Sequence, residues 1–203
     1  MPALAEATAA IIAAGQRLDR FGWVPATAGN ISVRLRDGTV AITRSGGHKG
    51  FLEAGSVIRV GLDGRPLREG DRPSAETGLH CGIYRRFADA GAVLHGHSVP
   101  VTVLSRRLGG SIRLEGYELL KAFPGLATHQ AAIDLPIFDN DQDIPRLQGV
   151  VAARWAEGGT VVPGYLLRGH GIYVWGVDMP QALMRLEAVE FMLRCELEVR
   201  RLS

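Results

Sequence analysis

The 203-residue chain carries only two cysteines, Cys81 and Cys195, and neither belongs to a CxxC pair. That excludes a disulfide scaffold and fits a reduced, soluble, cytoplasmic protein. Long apolar runs are missing as well: no stretch approaches the roughly 18 uninterrupted apolar residues of a membrane span. Nor is charge of one sign in excess. Lys and Arg total 23 against 21 Asp and Glu, for a formal charge of +2, and no basic run exceeds two residues. This balance excludes a dedicated nucleic-acid binder. The Ala-rich start, Ala3 to Ala14, has Glu6 within it and no basic leader, so it is not read as a signal peptide. Internal repeats, low-complexity linkers and charge blocks are also lacking, and residues 1–203 read as a single domain.

What is present is an alternation of helical and extended patterns. Leu4, Ala7, Ile11 and Leu18 mark one helical stripe that ends before Gly22. Ile31, Val33 and Leu35 alternate with polar residues, and Asp37-Gly38 then turns the chain into Val40 and Ile42, a hairpin signature. Ser74 is placed to cap a helix carrying Leu79, Ile83, Phe87 and Ala90. Ala92 to Leu94 reads as a buried strand, followed by a helix near Pro100 to Leu108 and a strand at Ile112 to Leu114. A short helix at Glu118 to Ala122, a strand at Ile133 to Phe138 and a helix at Ile144 to Ala156 come next. Two strands flank Gly169-His170-Gly171, and Asp178 caps a long final helix. Hairpins with interspersed helices predict a mostly antiparallel sheet covered by helices.

His95-Gly96-His97 is the sharpest chemical signal. Residues two apart in an extended segment project to one face, so both imidazoles can converge on one ion. His170, in Leu-Leu-Arg-Gly-His-Gly, also follows an apolar strand. Three histidines with an open fourth position suit a catalytic zinc. His48, His80 and His129 lack such settings and are read as surface or supporting residues.

Two Gly-rich segments, Thr27-Ala28-Gly29-Asn30 and Ser45-Gly46-Gly47-His48-Lys49-Gly50, offer unhindered backbone amides suited to an anion. Ser74 and Ala75, at the expected helix start, can add amide and dipole contacts. Each segment alone is an ordinary turn; together, upstream of an HxH, they point to a phosphate. Two carboxylates fall near these features. Glu76 by itself reads as a first-turn residue favourable to the helix dipole, and Glu118 as a solvated helix-face residue. The Asp139-Asn140-Asp141 run reads as turn chemistry.

Ala-Gly-Asn-Ile-Ser (28–32), Arg-Ser-Gly-Gly (44–47), Pro-Ser-Ala-Glu-Thr (73–77), His-Gly-His-Ser (95–98) and Arg-Gly-His-Gly (168–171) occur in that order. With them the chain resembles the class II aldolase and adducin family over residues 20–200. Ser-Gly-Gly-His-Lys-Gly (45–50), Glu-Gly-Tyr-Glu-Leu-Leu-Lys (115–121) and the run from Arg168 to Gly176 resemble the family's dehydratases in particular. The resemblance implies an α/β/α sandwich around a mostly antiparallel sheet, assembled as a homotetramer. It implies one zinc per subunit on His95, His97 and His170, and phosphate contacts at Gly29, Asn30, Ser45, Gly46, Ser74 and Ala75. The substrate implied is a small phosphorylated ketose, with no nucleic-acid or membrane partner. In the family's aldolases the acid/base matches Glu76, and in its dehydratases it resembles Glu118; this chain has both. Ala75-Glu76 departs from the animal dehydratase pattern, which has a cysteine there. Trp23, Tyr117 and Trp175 are the aromatic candidates for the end of the substrate remote from phosphate. Zinc-dependent dehydration is the reading taken. A sugar-phosphate aldolase or 4-epimerase of the fuculose or ribulose phosphate type, and an adducin-like binding module without catalysis, stand beside it.

Overall fold

The computed structural model describes residues 1–158 and 161–202. The elements follow in the order α1 (Leu4–Arg20), β1 (Asn30–Arg34), β2 (Val40–Thr43), β3 (Val57–Val60), α2 (Thr77–Arg86), β4 (Ala92–Gly96), α3 (Val99–Arg107) and β5 (Ser111–Glu115). After β5 come a 3-10 turn at Glu118–Ala122, then β6 (Ala132–Phe138), α4 (Ile144–Ala156), β7 (Gly164–Leu167), β8 (Ile172–Gly176) and α5 (Met179–Leu202). The strands form one sheet in the order β3-β2-β1-β4-β8-β7-β6-β5. Every neighbouring pair is antiparallel except β6 and β7, which run parallel.

Strand alternation divides the sheet into two faces. Ile31, Val33, Leu94, Ile172 and Val174 pack with α1, α3 and α5, whose Ala7, Ile11, Leu18, Leu104, Leu186 and Leu193 fill one core. Val93, Leu167, Tyr173 and Trp175 point the other way, onto Leu79, Ile83 and Tyr84 of α2 and Leu147 and Val151 of α4. The result is the helix–sheet–helix sandwich expected from the sequence.

Two local expectations shift. Helix α2 begins at Thr77 with Glu76 in the N-cap position, not at a cap formed by Ser74. The Ser74 hydroxyl accepts the side-chain amide of Asn30 at 3.0 Å and, more weakly, the Glu76 N–H at 3.5 Å. The same helix ends at Arg86, and Phe87 leaves it in an extended conformation to stack on Trp175 at 5.0 Å. Asp178 does cap α5: its carboxylate accepts the Gln181 N–H at 2.9 Å.

Candidate metal centre

Register builds the site. Across β1, β4, β8 and β7, Asn30 stands opposite His95, His95 opposite Tyr173, and Tyr173 opposite Tyr165, all on the α2 and α4 face. The His95 ring stacks on Tyr173 with centroids 4.1 Å apart, and Tyr173 stacks on Tyr165 at 4.9 Å. His95 is fully buried, and its Nδ1 bonds the Ile172 carbonyl at 2.9 Å. A carbonyl only accepts, so Nδ1 carries the proton and Nε2 keeps a lone pair. That Nε2 is a buried atom without a hydrogen-bond partner.

The other two imidazoles arrive from strand ends. His97 follows β4, and its backbone N–H donates to the Trp23 carbonyl at 2.6 Å, holding the chain where the strand stops. His170 sits in the turn between β7 and β8, its N–H bonded to the Leu167 carbonyl at 3.1 Å. The three rings meet with centroids 4.4 to 5.1 Å apart, and one nitrogen from each lies within 4.8 Å of the others. Glycine makes this convergence possible. A Cβ on Gly171 would lie 2.7 Å from Cε1 of His95, and one on Gly29, at φ +77°, would lie 2.7 Å from the His95 carbonyl oxygen.

Glu76 reaches the triad from the start of α2. Its Oε1 is 2.9 Å from Nε2 of His170 and its Oε2 3.3 Å from Nε2 of His95. Burial would raise this carboxyl, but the His170 contact, the proximity of the His95 ring and the Asn30 amide at 2.7 Å together hold it well below the usual range. Burial pushes His97 down to about 4, with His170 adding to the effect, and drives His95 well below its ordinary value. Neutral imidazoles are the form that binds metal. Three converging imidazole nitrogens, one of them an orphaned buried lone pair, beside a carboxylate, form a donor set that fits a divalent cation.

The three segments that the sequence offers for an anion are tied to one another. The Lys49 ammonium, 2% exposed, donates to the carbonyls of Thr27 at 2.7 Å and Gly47 at 2.6 Å and so ties the first two loops. Burial lowers its pKa, while Glu76 opposes that shift. The second loop meets the third through the Arg44–Pro73 bridge and the Ser45 N–H, which donates to the Arg72 carbonyl at 3.0 Å. Ser45, Gly46 and Ala75 are exposed, whereas Asn30 is buried, its amide shared between Ser74 and Glu76. The Ser45 amide is therefore already engaged.

Glu118 lies elsewhere. Its side chain, 67% exposed, pairs with Lys121 and stands 3.3 Å from Nδ1 of His129. It lines a groove of about 1450 Å3 with Phe21, Trp23, Ser98 and Leu119. Trp23 joins the two regions, because its ring lines that groove while its carbonyl holds His97. Of the other aromatic candidates, Tyr117 donates its hydroxyl to Glu196 at 2.9 Å. Trp175 is removed from the set: it is 5% exposed and packed between Phe87 and Trp155 in the second core.

Two supporting residues have no local signature: Lys49 is one glycine-loop residue among several, and Asn140 reads as turn material. His80, read as a surface or supporting residue, is fully buried. In the structure Asn140 accepts from Nδ1 of His170 at 3.0 Å, while its neighbours Asp139 and Asp141 pair with Arg168 and Arg146.

The comparisons agree with this geometry. Residues 9–197 match the family model for the class II aldolase and adducin N-terminal domain. The chain is 62% identical over 194 residues to a methylthioribulose-1-phosphate dehydratase of Gluconacetobacter diazotrophicus, covering 95% of this chain and 93% of that protein. It is 50% identical to the protein of that name from Pseudomonas paraeruginosa, covering 97% and 96%. Among solved structures, the L-fuculose-1-phosphate aldolase of Thermus thermophilus superposes with a TM-score of 0.75 at 27% identity, covering 95% and 93%.

Proposed function

Because this chain belongs to the class II aldolase and adducin family, we propose that it removes water from 5-methylthio-D-ribulose 1-phosphate, giving 2,3-diketo-5-methylthiopentyl 1-phosphate, a step of methionine salvage. The observation that carries this reading is the convergence of His95, His97 and His170 on one point beside the anion-binding loops. The dehydratase name borne by relatives at 50% to 62% identity selects dehydration among the family's reactions.

In this reading His95, His97 and His170 would hold a divalent cation such as zinc, which would supply Lewis acidity to the ketose. The C1 phosphate rests on Gly29, Asn30, Ser45, Gly46, Ser74 and Ala75, with the Lys49 charge behind them. That anchor decides which carbons face the carboxylates. Loss of the C3 proton and the C4 hydroxyl leaves an enol that tautomerises to the 2,3-diketone. Proton transfer at C3 and at the departing C4 hydroxyl is assigned to Glu118, which lies away from the triad of its own chain and would act on the site of a neighbouring subunit of the proposed tetramer. Glu76 is the weaker base of the two, because both its oxygens are engaged by His170, His95 and Asn30, and it holds the reacting end in place. The protein works as a cytoplasmic homotetramer.

Incubation with methylthioribulose 1-phosphate and identification of the product tests the reading: the diketone is expected, with one water lost. The aldolase alternative is favoured by one observation, that Glu76 and not Glu118 faces the triad within the chain. Release of glycolaldehyde from pentulose phosphates, without dehydration, would establish that alternative.

A further inference from the structure

A second set of polar side chains lies behind Glu76, in the layer between β1 and α2. Tyr84 and His80 sit one turn apart on α2, and Ser32 faces them from β1. The Ser32 hydroxyl is 2.8 Å from the Tyr84 hydroxyl and 2.7 Å from Nδ1 of His80. Nε2 of His80 meets Oδ1 of Asn30, whose Nδ2 reaches Ser74 at 3.0 Å and Glu76 at 2.7 Å. Ser32, His80, Asn30 and Tyr84 are each at most 2% exposed, so none of these bonds can be exchanged for water.

The donors and acceptors admit one arrangement. The Glu76 carboxylate accepts, so Asn30 must turn its NH2 towards it and its oxygen towards His80. That oxygen accepts, so Nε2 of His80 carries the proton and Nδ1 has the lone pair. Nδ1 then takes the Ser32 proton, and Ser32 accepts from Tyr84. Every bond runs in one direction, from Tyr84 through Ser32, His80 and Asn30 to Glu76, and such chains polarise each bond in turn. Asn30 is also the residue that joins the anion loop at Ser74 to the carboxylate beside the triad.

We propose that His80 is a positioning residue for the metal centre. Its Nε2–H locks the Asn30 amide so that Nδ2 holds Glu76 and Ser74 together. Without that donor the amide is free to rotate and present its oxygen to the carboxylate, which would push Glu76 away from His95 and His170. A histidine serving only as core filler would be replaced equally well by any side chain of similar size. The proposal builds on the metal-centre reading, but two of its three readouts do not need turnover.

Long-range proton–nitrogen NMR of the whole protein reads the His80 tautomer directly. The Nε2–H form is expected, and the Nδ1–H form would overturn the proposal. Cobalt(II) affinity, followed by absorbance against a competing chelator, and kcat are then compared in His80→Gln and His80→Leu. Gln keeps an N–H near the Nε2 position and Leu keeps only bulk. His80→Leu is expected to lower both by about tenfold to a hundredfold, and His80→Gln to restore most of the loss. Equal affinity and kcat in folded His80→Leu would overturn the proposal, as would equal losses in both variants. If His80→Leu does not fold, Ser32→Ala serves instead. It removes the donor to Nδ1 and is expected to yield a mixed tautomer with weaker cobalt binding; an unchanged tautomer and affinity would overturn the proposal. A wild-type protein inactive on methylthioribulose 1-phosphate would count against the dehydratase reading, while the tautomer and cobalt readouts would still decide the role of His80.

Discussion

His170 is held between Glu76 and Asn140: Nε2 lies 2.9 Å from Oε1 of the glutamate and Nδ1 3.0 Å from Oδ1 of the asparagine. The asparagine oxygen accepts the Nδ1 proton, so Nε2 is the nitrogen turned towards the carboxylate. Two such groups at that distance are stabilised by a shared proton or a shared cation. Asn140 thereby selects the tautomer that can bind metal, in the way a supporting carboxylate or carbonyl does at other histidine sites. Asn140→Ala is expected to lower metal affinity about tenfold to a hundredfold, and Asn140→Asp, which keeps the acceptor, to lower it less. Competition with a chelator measures both, and unchanged affinity in the alanine variant would show that the contact is dispensable.

The anion loops make a separate prediction. Gly46 has φ +83° with nothing within 4 Å of where a Cβ would stand, so its constraint is conformational and not one of crowding. A β-branched residue in the left-handed region costs about 1–2 kcal/mol or more. Gly46→Val should therefore raise KM for the phosphorylated substrate roughly tenfold while kcat changes little. Gly29 differs, because a Cβ there would also lie 2.7 Å from Cγ1 of Val24 and from the His95 carbonyl. Gly29→Ala should lower Tm and metal content together. Steady-state kinetics and thermal unfolding distinguish the two outcomes.

His95, His97 and His170 were legible because an HxH at a strand end and a glycine-flanked histidine are local patterns with a direct chemical meaning. The hairpin at Asp37-Gly38 and the stripe on α1 were legible for the same reason, since each depends on residues within one or two turns. Long-range pairing was not. Asn30 and His95 meet through strand register, Asn30 and His80 across 50 positions, and Asn140 and His170 across 30. Nothing local to Trp175 marks it as core and not surface; the stacking of Phe87 and the edge contact of Trp155 do. Helix α2 starts at Thr77 behind Glu76, and the Ser74 hydroxyl is shared between the Asn30 amide, from another strand, and the Glu76 N–H.

Acid stability follows from the buried relay. His80 is fully buried and burial lowers it to about 3, against an ordinary value of 6.5, with Glu76 opposing the shift. Between those values the unfolded chain binds the proton and the folded protein does not. Stability is then complete above pH 6.5 and falls as pH drops towards 3, by about 1.4 kcal/mol per pH unit for one such group. His80→Gln removes the titrating ring and should flatten the acid limb of stability against pH by one proton's worth. Denaturant unfolding between pH 4 and 7 checks this; an unchanged slope would mean His80 is protonated in the folded state as well.

The division of labour between the two carboxylates is tested by paired amides. Glu118→Gln is expected to leave metal bound and the fold intact while cutting kcat by about two to four orders of magnitude. Glu76→Gln should cost less in kcat and more in metal retention, since Glu76 touches His95 and His170. The reverse pattern, with Glu118→Gln nearly normal and Glu76→Gln inactive, would assign proton transfer to Glu76.

The most direct measurement follows water loss from methylthioribulose 1-phosphate as metal is stripped with a chelator and returned as zinc, in the wild-type protein and in His97→Ala. Turnover is expected to fall to background on removal and to recover in proportion to bound zinc in the wild type. In His97→Ala, retention and activity should fail together, because two imidazoles hold a catalytic metal poorly. Full turnover by the stripped protein, or full metal content and full turnover in His97→Ala, would contradict a three-histidine catalytic centre.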